Sequence, residues 1–254
     1  MSDEVLTERD GAVLVITMNR PQARNAVNGA LARGVAAALD ELDADPSITV
    51  GILTGAGGSF SSGMDLKAFL TGDIPVVEGR GLAGITLTPP AKPIIAAVEG
   101  YALAGGCEIA LACDLIVASR EAKFGLPEAK RSLVAGAGGL FRLPQRIPRA
   151  IAMEYALTGE FFGAEDAKAW GLVNRLTEPG KALEGALELA AKISQSGPLA
   201  VRATKQIIAE SPDWPAAERW DRQAKIMGPV MVSKDAREGA TAFAEKRAPV
   251  WRGE

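Results

Sequence analysis

Short aliphatic and β-branched runs alternate with helix-patterned stretches along most of the chain, and that alternation commits it to an α/β architecture. Residues 5–8 and 13–18 read as strands around an Asp10-Gly11 turn, a hairpin signal. Asn19-Arg20-Pro21 breaks the pattern. Asn28 then reads as an N-cap, with Leu31, Val35, Leu39 and Leu42 on one helical face. Strands are expected at 50–54, 94–98 and 115–118, a short helix at 65–70, a turn over 100–106 and a helix at 107–112. Residues 71–92 carry Gly and Pro without periodicity and are expected to be irregular or mobile.

Beyond Ala137 helical patterns dominate: 138–147, 149–158, 164–170, 181–194, 198–210 and 215–227, with one short strand at 173–176. Ser233 would cap a last helix to Phe243. Pro198 and Pro215 stand where a first-turn proline is tolerated. This divides the chain into a core, 1–197, and a helical region, 198–254. The apolar faces of that region serve either a neighbouring subunit or the chain's own core.

The chain has no histidine. A Ser-His-Asp triad, a Cys-His pair and every His-containing metal site are therefore excluded. Cys107 and Cys113 stand six apart in one helical stretch, which turns them away from each other. Two thiols do not make a zinc site, and reduced, buried thiols suit the cytoplasm. Hydrophobic residues make up 48% of the 254, enough for a sizeable core. A net charge of −3 with scattered Lys and Arg leaves no nucleic-acid footprint. The acidic start Met-Ser-Asp-Glu, with no long apolar run after it, predicts neither a signal peptide nor a membrane span.

Proton transfer must then fall to carboxylates, and two glutamates, Glu108 and Glu128, each follow a glycine-bearing loop. The loop before Glu108 is Gly100-Tyr101-Ala102-Leu103-Ala104-Gly105-Gly106-Cys107. A second small-residue loop, Ser59-Phe60-Ser61-Ser62-Gly63-Met64-Asp65-Leu66-Lys67, also leads toward a helix start. Backbone N–H groups at such places are unpaired and carry the positive end of the helix dipole. Two of them aimed at one point would form an oxyanion hole. Taken alone, each loop reads equally as a tight strand-to-helix turn.

The stretch from Lys92-Pro93-Ile94-Ile95 through Gly105-Gly106-Cys107-Glu108 resembles the signature of the enoyl-CoA hydratase/isomerase (crotonase) family. Asn19-Arg20-Pro21 with Asn25-Ala26, the residue 60–67 loop, Phe124-Gly125-Leu126-Pro127-Glu128, Gly136-Ala137-Gly138-Gly139, Thr158-Gly159 with Gly171-Leu172-Val173, and Ala242-Phe243-Ala244-Glu245-Lys246-Arg247 match in unbroken order. The resemblance implies a spiral of ββα units with a C-terminal helical region that builds trimers, often paired into hexamers. It implies an acyl-CoA thioester as substrate, with no metal or redox cofactor. Ser62 and Gly105 match the positions whose N–H groups hold the thioester oxygen, and Glu108 and Glu128 match the catalytic carboxylates. Backbone near Ala26, Asp65, Leu66 and Lys67 would line the CoA adenine site. Arg24 and Lys246 would touch CoA phosphates, Lys246 from its own or a neighbouring subunit.

The reaction so implied is reversible hydration of a 2-enoyl-CoA. The sequence departs from many hydratases at Ser132 and Ala135, and Lys130-Arg131 brings two charges near the site. Leu126-Pro127-Glu128-Ala129-Lys130 and the tail from Asp235 to Trp251 are similar to the carnitinyl-CoA dehydratase branch. A Δ3-Δ2 isomerase and a non-catalytic acyl-CoA-binding protein are the other readings. Two intact carboxylates count against both.

Overall fold

The structure is a computed structural model and describes residues 4–254. Strands β1 (Val5–Asp10) and β2 (Val13–Met18) form the expected hairpin, with Gly11 at φ +57° in the turn. Helix α1 (Gly29–Ala44) starts where the Asn28 side chain accepts the Leu31 N–H at 2.9 Å. It buries Leu31, Val35, Leu39 and Leu42, the predicted face. Then come β3 (Val50–Gly55), α2 (Leu66–Leu70), the two-residue strands β4 (Val76–Val77) and β5 (Gly81–Leu82), and β6 (Ile94–Val98). Next in order are β7 (Tyr101–Leu103), α3 (Gly105–Ala112), β8 (Leu115–Ser119), β9 (Lys123–Gly125), α4 (Gly139–Arg146), α5 (Arg149–Thr158), β10 (Phe162–Gly163), α6 (Ala164–Ala169) and β11 (Arg175–Thr177). Four helices close the chain: α7 (Ala182–Ser194), α8 (Pro198–Glu210), α9 (Arg219–Met231) and α10 (Lys234–Glu245).

The main sheet runs β1-β2-β3-β6-β8-β11, antiparallel between β1 and β2 and parallel elsewhere. Side chains alternate between its faces at period two. Leu14, Ile16, Met18, Leu53, Ile94, Ala96, Val98, Ile116 and Ala118 join the larger core with α1 and α3. Val13, Val15, Val50, Ile52, Ile95, Ala97 and Val117 face the other way, against α7. There Ala182, Ala186 and Ala190 recur every fourth residue, a stripe of small side chains that lets the helix lie close to the sheet.

A second, three-stranded sheet runs β10-β9-β7. β7 pairs in parallel with β9, with Ala102 opposite Phe124 and Leu103 opposite Gly125. Phe124 and Phe162 stack at 5.8 Å, and Tyr155 meets Phe162 edge-on at 5.2 Å, so aromatic burial anchors this small sheet. β7 corrects the expectation of a turn over 100–106, and α3 starts two residues before the predicted 107. β9 and β10 had no sequence signal, and β11 starts two residues later than expected.

Residues 71–92 are irregular, as expected, but docked. Ala83 and Ile85 are fully buried, and the Leu82 N–H donates to Thr86 Oγ1 at 2.9 Å. A Cβ on Gly84 would come within 2.6 Å of Ala36 Cβ, so the segment lies directly on α1. In the C-terminal region, Ser233 accepts the Ala236 N–H as the predicted cap of α10. The helix expected from Pro215 begins as a 3-10 turn, and α9 proper starts at Arg219. α8 reaches the core through Lys205, which bonds Asp114 at 2.6 Å and the Lys92 carbonyl at 2.9 Å. Neither α8 nor α9 fully buries any residue, and Ile208, Trp220, Met231, Val232 and Phe243 are exposed. Among the described residues no helix is long and apolar enough to cross a membrane.

The Asn28 cap gives a local test of this fold. Asn28→Ala is expected to destabilise the chain by about 1 kcal/mol, and Asn28→Ser to restore most of it. Chemical denaturation of the three proteins measures both.

Candidate active site

Three separate pieces of chain meet at β7. On one edge lies β9. On the other, Ser61 makes a parallel bridge to Ala102: the Ser61 N–H donates to the Tyr101 carbonyl at 2.8 Å, and the Leu103 N–H to the Ser61 carbonyl at 3.0 Å. The 61–65 loop, the start of α3 and the turn after β9 therefore converge at the C-terminal end of one short strand. The close approach needs glycine. A Cβ on Gly106 would sit 2.2 Å from the Ser61 carbonyl oxygen, and one on Gly63 would sit 2.9 Å from the Gly105 nitrogen. Gly63 also has φ +94°.

The 61–65 loop is fastened from behind. Asn25, fully buried at φ +54°, donates to the Ala56 and Ser59 carbonyls at 2.9 and 2.6 Å and accepts the Arg20 N–H at 2.9 Å. The Asp65 carboxylate caps α2 through the Lys67 and Ala68 N–H groups at 3.0 and 3.2 Å and pairs with Arg20 at 2.9 Å. Burial works to raise the Asp65 pKa, but the cap and Arg20 outweigh it, so the net shift is downward.

A cavity of about 870 Å³ opens at the junction. Glu108, Glu128, Gly105, Ser62, Arg24 and Leu66 all line it. Glu108, on the first turn of α3, is buried, and its Oε1 accepts the Ala137 N–H at 2.7 Å and the Gly139 N–H at 2.9 Å. Burial pushes its pKa up; the two N–H bonds and the charge of Arg142 oppose that push without cancelling it. Glu128 stands in the 3-10 turn Pro127–Arg131 that follows β9. Its pKa is raised too, by burial and by the negative charge of Glu108. Its Oε2 is buried with no hydrogen-bond partner among the described residues. Such an oxygen is costly when ionised and comfortable when protonated toward a ligand or water. Cys107 and Cys113 are free and buried, each thiol pushed up to about 12 by burial, so neither is a nucleophile at neutral pH.

One expected donor is displaced. The Ser62 N–H is committed to the Arg24 carbonyl at 3.0 Å. The N–H groups of Met64 and Gly105 have no acceptor among the described residues, and both residues line the cavity. A Cβ built on Gly105 would lie 3.5 Å from the Met64 nitrogen, so the two amides are close neighbours. The sequence held a signal for Met64: it directly follows the left-handed Gly63. Ala26, Asp65, Lys67 and Lys246 do not line the cavity. The Ala26 carbonyl accepts from Arg20 at 2.5 Å, Asp65 is spent on its cap and ion pair, and Lys246 ends α10 in a left-handed conformation. Residues not anticipated complete the lining: Leu82, Thr86, Leu87, Leu133, Val134, Phe141 and Phe161 give it a largely apolar wall.

Two acids with raised pKa values and a pair of free backbone amides around one apolar cavity, carried on an α/β spiral, define a crotonase-fold enzyme. The chain belongs to the enoyl-CoA hydratase/isomerase family, whose model matches residues 8–254. It is 62% identical to an enoyl-CoA hydratase of Mycobacterium marinum of known crystal structure, with a TM-score of 0.98 over 99% of both chains. A carnitinyl-CoA dehydratase of Salmonella typhi is 43% identical over the full length of both chains. The crystal structure of a carnitinyl-CoA hydratase from Mycobacterium avium matches at 43% identity, with a TM-score of 0.80 over all of both chains.

A glutamate whose folded-state pKa lies above its unfolded value holds its proton more tightly when folded. The stability it contributes is complete below the unfolded pKa and is lost as pH rises through the folded pKa. Glu108→Gln keeps an acceptor for the Ala137 and Gly139 N–H groups and removes the titration. Its Tm is expected to exceed that of the parent chain at about pH 7, with the gap closing toward about pH 4. Thermal melts of both proteins across that range check the sign; a variant that melts below the parent chain at neutral pH, or a gap that widens toward acid, would overturn it.

Proposed function

We propose that this protein adds water reversibly across the 2,3 double bond of a 2-enoyl-CoA thioester. The observation that carries the reading is the pairing of Glu108 and Glu128, both with raised pKa, around a cavity into which two unpaired N–H groups open. Nucleophilic addition at C3 sends negative charge onto the thioester oxygen. The Met64 and Gly105 amides stabilise that charge as it develops, and each donor can be worth roughly 3–4 kcal/mol of barrier. Glu108, whose ionised form is held by two N–H bonds and the α3 dipole, suits the base that takes a proton from water. Glu128, whose second oxygen has no donor, suits the acid that protonates C2. The proton balance is restored when Glu108 returns its proton to Glu128 through water, and the reverse sequence is dehydration. CoA is part of the substrate, and the chemistry calls for no separate cofactor. Arg24 and Leu66, at the cavity, are placed to hold the CoA moiety, with Lys246 serving the site of a neighbouring copy. The buried free thiols support a cytoplasmic location.

Relatives named for carnitinyl-CoA support a second reading, in which the acyl group carries a quaternary ammonium. Its electrostatics are unfavourable here. A cation would seek an aromatic face or an acid. The Arg142 guanidinium lies over the Phe141 ring at 5.1 Å, and that of Arg24 over Tyr101 at 5.7 Å. Of these two arginines only Arg24 lines the cavity; Arg131 is the second cation of the lining, and the only carboxylates there are the two glutamates. A neutral hydrocarbon acyl chain fits the wall better.

With crotonyl-CoA, Glu108→Gln and Glu128→Gln are each expected to lose about 10²–10⁴-fold in hydration while CoA-ester binding changes little. Parent-chain kcat/KM should favour crotonyl-CoA over crotonobetainyl-CoA by at least about tenfold. Full activity in either variant overturns the two-glutamate mechanism, and a preference for crotonobetainyl-CoA overturns the neutral-chain reading.

The uncovered apolar side chains of α8–α10 support assembly into a homotrimer or a dimer of trimers. Light scattering at micromolar concentration is expected to give a multiple of three; a stable monomer would contradict it.

A further inference from the structure

Glu108 is held by the 137–139 turn, and that turn is itself held from behind. Arg142, one helical turn into α4, donates from Nη1 to the Ala137 carbonyl at 3.2 Å and from Nη2 to the Thr86 carbonyl at 2.5 Å. Its guanidinium also lies over Phe141. The Ala137 and Gly139 N–H groups point at Glu108 Oε1, so the peptide units that grip the carboxylate are pinned by one cation to the docked 71–92 segment across the cavity. Gly138, between them, has φ +103°, and a Cβ there would meet Arg142 Nη1 at 2.1 Å. Both protein bonds go to Oε1; no donor among the described residues reaches Oε2, which is left for the cavity.

We infer that Arg142 is a positioning residue for Glu108: it braces the turn whose two amides fix the carboxylate and leave Oε2 free for substrate water. The inference rests on the hydratase reading for its activity readout but has a second readout of its own. Arg142 is half-buried and does not deprotonate in a protein, so it is a constant charge beside a titrating one. The other ionisable groups around Glu108 are Glu128 on the opposite turn, which Glu108 charge pushes up, Arg131 beside Glu128, the un-ionised Cys107 thiol on α3, and Arg146 one turn further along α4. Of these only Arg142 is a cation that lowers the Glu108 pKa. Removing it should free the turn and raise the carboxyl pKa together.

The experiment compares Arg142→Met, which keeps length and packing but not charge or donors, with Arg142→Lys. Arg142→Met is expected to lower kcat for crotonyl-CoA about tenfold to a hundredfold with KM changed by less than about threefold. The pH limb set by Glu108 should move upward. Carbon-13 NMR titration of labelled glutamate, with Glu108→Gln to assign the resonance, should show the same upward shift with no substrate present. Arg142→Lys should recover the pKa and only part of kcat, since an ammonium does not reproduce the planar two-carbonyl clamp. Unchanged kcat and unchanged Glu108 titration in Arg142→Met overturn the inference. So does a loss of activity that follows Tm alone, with no pH shift. A parent chain that binds crotonyl-CoA without hydrating it would sink the functional reading; the NMR titration would still decide the role of Arg142.

Discussion

The three-residue strand β7 is the contact on which the rest of the site depends. It is short, but both of its edges are used: one pairs with β9 and the other takes the bridge from Ser61. Because β7 and β9 are parallel, their C-terminal ends lie side by side. The chain leaves the first into α3 and Glu108, and the second into the turn that carries Glu128. Parallel pairing thus brings two acids, twenty positions apart in the chain, to one cavity, and the Ser61 bridge sets the Met64 amide beside that of Gly105. The turn out of β7 holds Ala104 at φ +51°, ψ −127°, a conformation that costs a non-glycine residue about 1–3 kcal/mol. Bonds on both sides of Ala104, from its own N–H to the Gly125 carbonyl and from the Glu108 N–H to its carbonyl, hold it there.

Electrostatics divides the labour that topology brings together. Both glutamates lose solvation, so each pKa rises. Glu108 is compensated by two amides and a nearby guanidinium; Glu128 has an orphan oxygen and the charge of Glu108 against it. Two carboxyls of one residue type are thereby made unequal by the amides, charges and burial around each, which is the difference that an acid and a base require. Neither role needs a histidine, and the chain has none.

What was legible in the sequence follows the range of the interactions. Local signals held: the Asp10-Gly11 hairpin, the Asn28 and Ser233 caps, the buried face of α1 and the glycines ahead of Glu108 each depend on neighbours within a few residues. β7 was hidden because Tyr101-Ala102-Leu103 is too short to show alternation and is flanked by turn residues; only its distant partners make it a strand. β9 and β10 were hidden for the same reason. The position of the free amide slipped from Ser62 to Met64 because a glycine-rich loop says that some N–H is unpaired, whereas a carbonyl from Arg24, far away in sequence, decides which one. The Asp65 side chain shows the same limit: its spacing from Lys67 and Ala68 makes the cap legible, whereas its pairing with Arg20, 45 residues away, is not.

The site's parts also differ in what they demand of the sequence. The free amides at the cavity are backbone, so the side chain at Met64 is free to vary provided that Gly63 and Gly106 keep the strands in contact. The acids need two residues. The apolar wall of the cavity draws Leu87, Leu133, Val134 and Phe141 from irregular segments and the start of α4, all exposed and outside the hydrophobic core, so a substitution there disturbs little of it; Leu82, on β5, belongs to that core as well. Chemistry fixed by the main chain and selectivity written in loop side chains can diverge independently. Relatives of one fold can therefore differ in the substrate they are named for, as the enoyl-CoA hydratase and the carnitinyl-CoA dehydratase do.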